Sequence, residues 1–192
     1  MMEIGLFFGS FNPIHTGHMI IANLVKETTS VSEVWFIVSP QNPFKKNKNL
    51  LHEFDRLDMV QAAIAEDYQF RAIDVEFNMP KPSYTIDTLT VLQEKYPDKK
   101  FHLIIGEDNL ASFPKWKNSD QILKHFNLIV YPRKGSGKSV LTGHENVSMI
   151  EAPEVDISAT LIRKLILNKK SVKYLVPEAV CELINMKDHY RA

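Results

Sequence analysis

The sequence predicts an α/β fold, a doubly wound parallel sheet with a small helical C-terminal extension, on three observations. Short apolar runs of strand length, rich in branched and aromatic residues, recur along the chain. Between them lie stretches whose apolar residues are spaced at three and four, as one face of a helix requires. Several of the runs show no polar face, which suits strands covered by helices on both sides. Alternation of this kind builds a parallel sheet of the Rossmann-like type.

Taken in order, EIGLFF (3–8) is the first strand and IIANLVKE (20–27) the first helix. EVWFIVS (33–39) is a second strand, followed by the helical spacing of FDRLDMVQAAIAE (54–66). FRAIDVE (70–76), FHLIIG (101–106) and NLIVY (127–131) complete the apolar runs, with IDTLTVLQEKY (86–96) as the helix between the first two of them. The strand-like VSMIE (147–151) precedes two helical stretches, SATLIRKLILNK (158–169) and PEAVCELINMKDHY (177–190). No repeat, low-complexity segment or long linker divides the chain, so residues 1–192 are read as one domain whose helical C-terminal part covers 158–192.

Composition excludes several classes of function. Lys+Arg and Asp+Glu both number 23, so the net charge is zero and gives no general attraction to nucleic acid or an anionic membrane. No apolar run reaches the roughly 18–20 residues of a membrane span, and the first residues lack the basic start of a signal peptide. The single cysteine, Cys181, rules out an intrachain disulfide and suits a reducing, cytoplasmic compartment. Its context, VPEAVCELI, reads as a helix face, so a buried structural thiol is expected. Oligomeric state is left open, homo-oligomers included.

In a doubly wound sheet, ligands bind outside the carboxyl ends of the strands. After the first strand comes GSFNPIHTGH, with Gly9 allowing a tight turn and Pro13 stiffening the loop. His15 and His18, three apart at the start of a helix, lie on the same side of its first turn. There two imidazoles could donate to phosphate oxygens beside the positive helix terminus. A helix cap, or a thin two-ligand metal site, are the plainer readings of the pair. Near the C-terminus VDISATLIRKLI offers an N-cap at Ser158, with Thr160 and Arg163 on the helix that follows. RKGSGKSV (133–140) imitates a phosphate-binding P-loop but has Pro132 where that pattern needs glycine.

GSFNPIHTGH resembles the signature of the nucleotidyltransferase superfamily with the (H/T)xGH motif, and ISATLIR resembles the superfamily's ISxTxxR element. Phe8, Ser10 and Asn12 stand where relatives often have Gly, Thr and Asp. Along nearly the whole chain the sequence is similar to bacterial nicotinate mononucleotide adenylyltransferases, through PSYTIDTL (82–89), IIGEDNLASFPKW (104–116) and a lysine, Lys45, after the second strand. Arg56 matches a basic residue at the start of that family's next helix. The resemblance implies transfer of AMP from ATP to nicotinate mononucleotide, with Mg²⁺ delivered on the ATP and no metal held by the protein alone. It implies catalytic roles for His15, His18, Lys45 and Arg163. It places ATP at Gly9, Ser10, Phe11, Gly17, Gly106, Asp108, Arg133, Ser158 and Thr160. Nicotinate mononucleotide is placed at Ser83, Tyr84, Thr85, Trp116 and Lys45, although on the residues alone the first three could cap a helix and Trp116 could pack. Nicotinamide mononucleotide, phosphopantetheine and glycerol 3-phosphate remain alternative acceptors.

Overall fold

The computed structural model describes residues 1–41, 50–133, 135–137 and 139–191. Among the described residues there are six strands: β1 Met2–Gly9, β2 Glu33–Val38, β3 Phe70–Ile73, β4 Lys99–Gly106, β5 Asn127–Tyr131 and β6 Val147–Met149. They form one sheet in the order β3-β2-β1-β4-β5-β6, and every adjacent pair is parallel. Strand order reverses beside β1, between β2 and β4, so the crevice for a ligand opens at the carboxyl ends of β1 and β4.

The helices are α1 Thr16–Thr28, α2 Glu53–Ala63, α3 Thr85–Lys95, α4 Glu107–Ser112, α5 Ser119–His125, α6 Ala159–Leu167 and α7 Glu178–Met186. They split between the two faces of the sheet because consecutive strand residues point to opposite sides. Phe7, Phe36, Ile104 and Ile129 face Ile21 and Val25 of α1, Val60 of α2, Ile162 of α6 and Ile184 of α7. Ile4, Leu6, Trp35, Ile37 and Leu103 face Leu89 and Leu92 of α3, Leu110 of α4 and Ile122 of α5. All six residues of β2 are buried, the pattern of a strand covered on both sides. The C-terminal helices therefore share one core layer with α1 and α2 instead of forming a core of their own. Cys181 on α7 is half-buried against this layer, so it is less enclosed than the helical pattern suggested.

Four elements depart from the sequence reading. The strand expected over 70–76 stops at Ile73 and gives way to a 3-10 turn, Val75–Asn78, closed by Phe77 N–H donating to Asp74 O at 2.9 Å. That turn swings Glu76 inward, where its carboxylate accepts from Ser83 Oγ and Thr88 Oγ1, both at 2.7 Å. The final helix ends at Met186, before the expected 190, because Asp188 (φ 52°) and Tyr190 (φ 66°) take left-handed conformations that fold the chain back. Helices α4 and α5, of six and seven residues, were not anticipated.

A buried arginine ties the loops of the site together. Arg56 of α2 is 0% exposed, and its guanidinium donates to four backbone carbonyls: Leu51 O (2.9 Å), Ser10 O (2.5 Å), Ser39 O (2.8 Å) and Pro40 O (3.2 Å). It thus joins the chain after β1, the chain after β2 and the start of α2. Arg56→Ala should cost about 3 kcal/mol or more in urea denaturation, because it leaves buried carbonyls without a donor. Arg56→Lys should recover only part of this, since a compact ammonium cannot span the same fork.

Candidate active site

A cavity of about 740 Å³ lies at the carboxyl ends of the strands, at the place where strand order reverses. Its walls bring together the loop after β1, both histidines, the start of α3, the segment after α4, Arg133 after β5, and the start of α6. A volume of this size can take a dinucleotide-sized ligand.

The loop after β1 is shaped by one close approach. A Cβ on Gly9 would fall 2.7 Å from the ring of Phe11, so glycine is what lets that ring fold beneath the strand end. Phe11 is 2% exposed, adopts φ +44°, and meets Phe7, Phe36 and His18 edge-on. Although Phe11 borders the cavity, most of its ring is a core contact. Ser10 also lines the cavity, while its carbonyl is held by Arg56.

His15 is the N-cap residue of α1 and is 7% exposed. Its ring stacks on that of His18 at 3.7 Å between centroids and 24° between planes. His15 N–H donates to His18 Nδ1 at 3.2 Å, so a neutral His18 carries its proton on Nε2. Burial pushes both imidazoles down, and the charge of Arg133 adds to the effect. His15 falls from its ordinary 6.5 to about 4, and His18 lies well below the usual range, with His15 also contributing. Both rings are therefore neutral donors at pH 7, and positive charge on the cavity wall comes from Arg133, Arg163, Lys115 and Lys117.

The start of α1 is less open than its sequence suggested. The first amide, Thr16 N–H, donates to Leu175 O at 2.9 Å, and Thr16 Oγ1 donates to Tyr174 O at 3.1 Å. Gly17 does not line the main cavity. A Cβ there would stand 3.1 Å from His15 Nδ1 and 3.4 Å from Val155, so its part is to leave room for the His15 ring.

At α6, Ser158 is the N-cap, its Oγ accepting from Leu161 N–H at 3.2 Å, as the sequence indicated. Arg163 donates through Nη1 to Asn12 O (2.7 Å) and through Nη2 to Thr160 Oγ1 (3.3 Å). Ser158, Thr160, Arg163 and the two histidines all line the same cavity. Gly106 and Asp108 do not. Asp108 Oδ1 occupies the space beside Gly106, where a Cβ would be 2.4 Å away, and lies 3.7 Å from Arg133 Nε. Arg133 itself is on the cavity wall.

Tyr84, Thr85 and Trp116 also line the cavity, together with Lys117, whose Nζ sits 4.7 Å over the Tyr84 ring and 2.9 Å from Asp87 Oδ2. Trp116 leans on Phe113 at 5.3 Å. Ser83 is 6% exposed and its hydroxyl is turned to Glu76. Glu76 escaped the sequence reading. At 2% exposure it brackets Tyr84 and Thr85 by holding the hydroxyls of Ser83 and Thr88 on either side. Its only signal was an acidic residue inside an apparent strand. Lys45 falls outside the described residues. Among the described residues, no group of three or more His, Cys, Asp or Glu could hold a metal ion.

The fold and the cavity define a nucleotidyltransferase-type α/β domain, and residues 6–165 match the cytidylyltransferase-like family. A Cytophaga hutchinsonii protein named a probable nicotinate-nucleotide adenylyltransferase is 60% identical over 189 residues, 98% of each chain. A Flavobacterium psychrophilum protein of the same name is 45% identical over 99% of this chain and 100% of its own. The chain therefore belongs to the nicotinate-nucleotide adenylyltransferase family within the cytidylyltransferase-like group. Among solved structures, Plasmodium falciparum nicotinic acid mononucleotide adenylyltransferase complexed with NaAD shares the fold, with a TM-score of 0.84 over 99% of this chain and 98% of that one at 18% identity.

The buried imidazoles have a consequence for acid stability. His15 falls to about 4 in the folded chain against 6.5 ordinarily, so the unfolded chain takes up the proton first as the pH drops. The stability this provides is complete above about pH 6.5 and is lost as the pH falls towards 4. Thermal midpoints of His15→Asn should decline less steeply than wild type over that interval. Parallel curves would assign the acid sensitivity elsewhere.

Proposed function

We propose that the chain transfers AMP from ATP to nicotinate mononucleotide, giving deamido-NAD and pyrophosphate, a step of NAD biosynthesis in the cytoplasm. The observation that carries this reading is that one cavity holds both the stacked imidazole pair with Arg163 and the Tyr84–Thr85–Trp116 group. The first group suits a triphosphate, and the second suits a flat ring bearing a carboxylate.

The acceptor's phosphate oxygen attacks the α-phosphorus of ATP in line, and pyrophosphate leaves. The nucleophile is already an anion at neutral pH, so the reaction does not depend on a strong general base. Two imidazoles held neutral by burial are poor bases but good donors, which fits stabilisation of the charge that builds on the phosphate oxygens. His18 offers Nε2–H because its Nδ1 is occupied by the His15 amide. Arg163 and Arg133 supply fixed positive charge, with Thr160 and the Ser158 cap beside them, and Gly9 and Ser10 bring backbone close to the nucleotide. Lys45 completes the positive set. Asp108 stands just outside the cavity wall beside Arg133, with Gly106 giving it room, and is the acceptor assigned to the ATP ribose hydroxyls at that rim. Mg²⁺ comes with ATP on its phosphates, since imidazoles and hydroxyls are a weak donor set for this ion by themselves.

Pyrophosphate release from MgATP should require nicotinate mononucleotide and should be much slower with nicotinamide mononucleotide, phosphopantetheine or glycerol 3-phosphate. Absence of release with every acceptor would refute the reading. In the same assay His18→Ala should lower kcat by about 10²–10³ with little change in KM for ATP. A change in KM equal to that in kcat would show that His18 acts in ground-state binding instead.

A further inference from the structure

The segment after α7 reaches the active site from the far end of the chain. Lys187 Nζ is pinned to α2 through Asp58 Oδ2 (2.8 Å) and Asp55 Oδ1 (3.0 Å). The chain then turns back through the left-handed Asp188 and Tyr190. His189 N–H donates to Ile184 O at 3.1 Å, and Arg191 bonds Asp188 (2.7 Å) and Asn185 (2.6 Å), closing this turn on the helix that leads into it. The turn delivers the Tyr190 hydroxyl to Asn12 Oδ1 at 2.8 Å, across 178 residues of sequence.

Asn12 is where several parts of the site meet. It is 4% exposed, its Oδ1 also receives Leu51 N–H at 3.3 Å, and its carbonyl oxygen receives Arg163 Nη1 at 2.7 Å. The phenol and the guanidinium therefore hold the same residue, one by its side chain and the other by its backbone. We infer that Tyr190 is a positioning residue for the triphosphate end of the cavity: by fixing Asn12 it fixes the carbonyl that aims Arg163. Three features support this. Tyr190 packs against the core layer that also holds Ile162 and Ile166 of α6, the helix that bears Arg163. The charges of Arg163 and Arg56 both act on its hydroxyl. Burial holds the phenol above its ordinary range, so it remains a hydrogen-bond donor wherever the enzyme works.

The inference rests on the reading of Arg163 as a triphosphate ligand, and the experiment separates the two. Tyr190→Phe in the full chain keeps the ring and its packing and removes only the bond to Asn12. With MgATP and nicotinate mononucleotide, KM for ATP should rise about threefold to tenfold, the equivalent of one hydrogen bond, while KM for the mononucleotide stays within about twofold. In an Arg163→Ala background the same substitution should add little, because a residue that acts through Arg163 has nothing left to aim. An unchanged KM for ATP in Tyr190→Phe, an equal rise in both KM values, or a full additive effect on top of Arg163→Ala would each overturn the inference. If Arg163→Ala alone left KM for ATP unchanged, the triphosphate reading would fall and the inference with it. Loss of folding in Tyr190→Phe, seen as an early thermal midpoint, would mark the contact as structural and overturn it as well.

Discussion

The guanidinium of Arg56 is the interaction on which the site depends. A doubly wound sheet sets where its strands end, but the loops beyond those ends have no ladder to hold them. Here the chain after β1 and the chain after β2 are held by one buried cation through the carbonyls of Ser10, Ser39, Pro40 and Leu51. Burying that charge carries a large desolvation cost, offset only because carbonyls surround it. The consequence is a ligand-side wall made of irregular backbone that is nonetheless fixed. Gly9 and Phe11 continue the same logic: absence of a side chain at one position lets an aromatic ring lock the next turn against the sheet.

The electrostatics of the site follow from burial more than from sequence charge. His15 and His18 stack on one another, Phe7 and Phe11 meet His18 edge-on, and burial keeps both imidazoles neutral. Arg133 and Arg163, which do not give up their protons, carry fixed charge in the same cavity, with Lys115 and Lys117 on its wall as well. Such a division leaves the histidines as neutral directional donors across the neutral pH range beside permanently charged neighbours. It also leaves the net charge of the chain at zero, in keeping with phosphate recognition made by a few placed groups.

Much of this was legible from local signals. Strands β1, β2, β4 and β5 announced themselves because fully buried strands read as continuous apolar runs, and α6 because Ser158 stands at its cap. GSFNPIHTGH and ISATLIR were legible as site segments because each motif is contiguous. Features made by tertiary packing were not. Helices α4 and α5 are too short for a helical period to stand out. The strand expected over 70–76 ends early for the sake of Glu76, whose partners lie 7 and 12 residues on. The direction of the histidine shifts needed burial, and the place of Tyr190 needed a contact across 178 residues, so neither leaves a mark in a window of sequence.

Three contacts that close the cavity wall beside the histidines join the first twenty residues to the last thirty. Thr16 meets Tyr174 across 158 positions, Asn12 meets Arg163 across 151, and Asn12 meets Tyr190 across 178. On the ribosome the first strand and its histidine loop emerge long before the residues that cap and aim them. The strands β1 to β5 precede α6 and α7 in the chain, so their pairing partners are made before the residues that complete this wall. A chain that stalls before α6 therefore carries the GSFNPIHTGH loop without the contacts from Arg163, Tyr174 and Tyr190 that hold it.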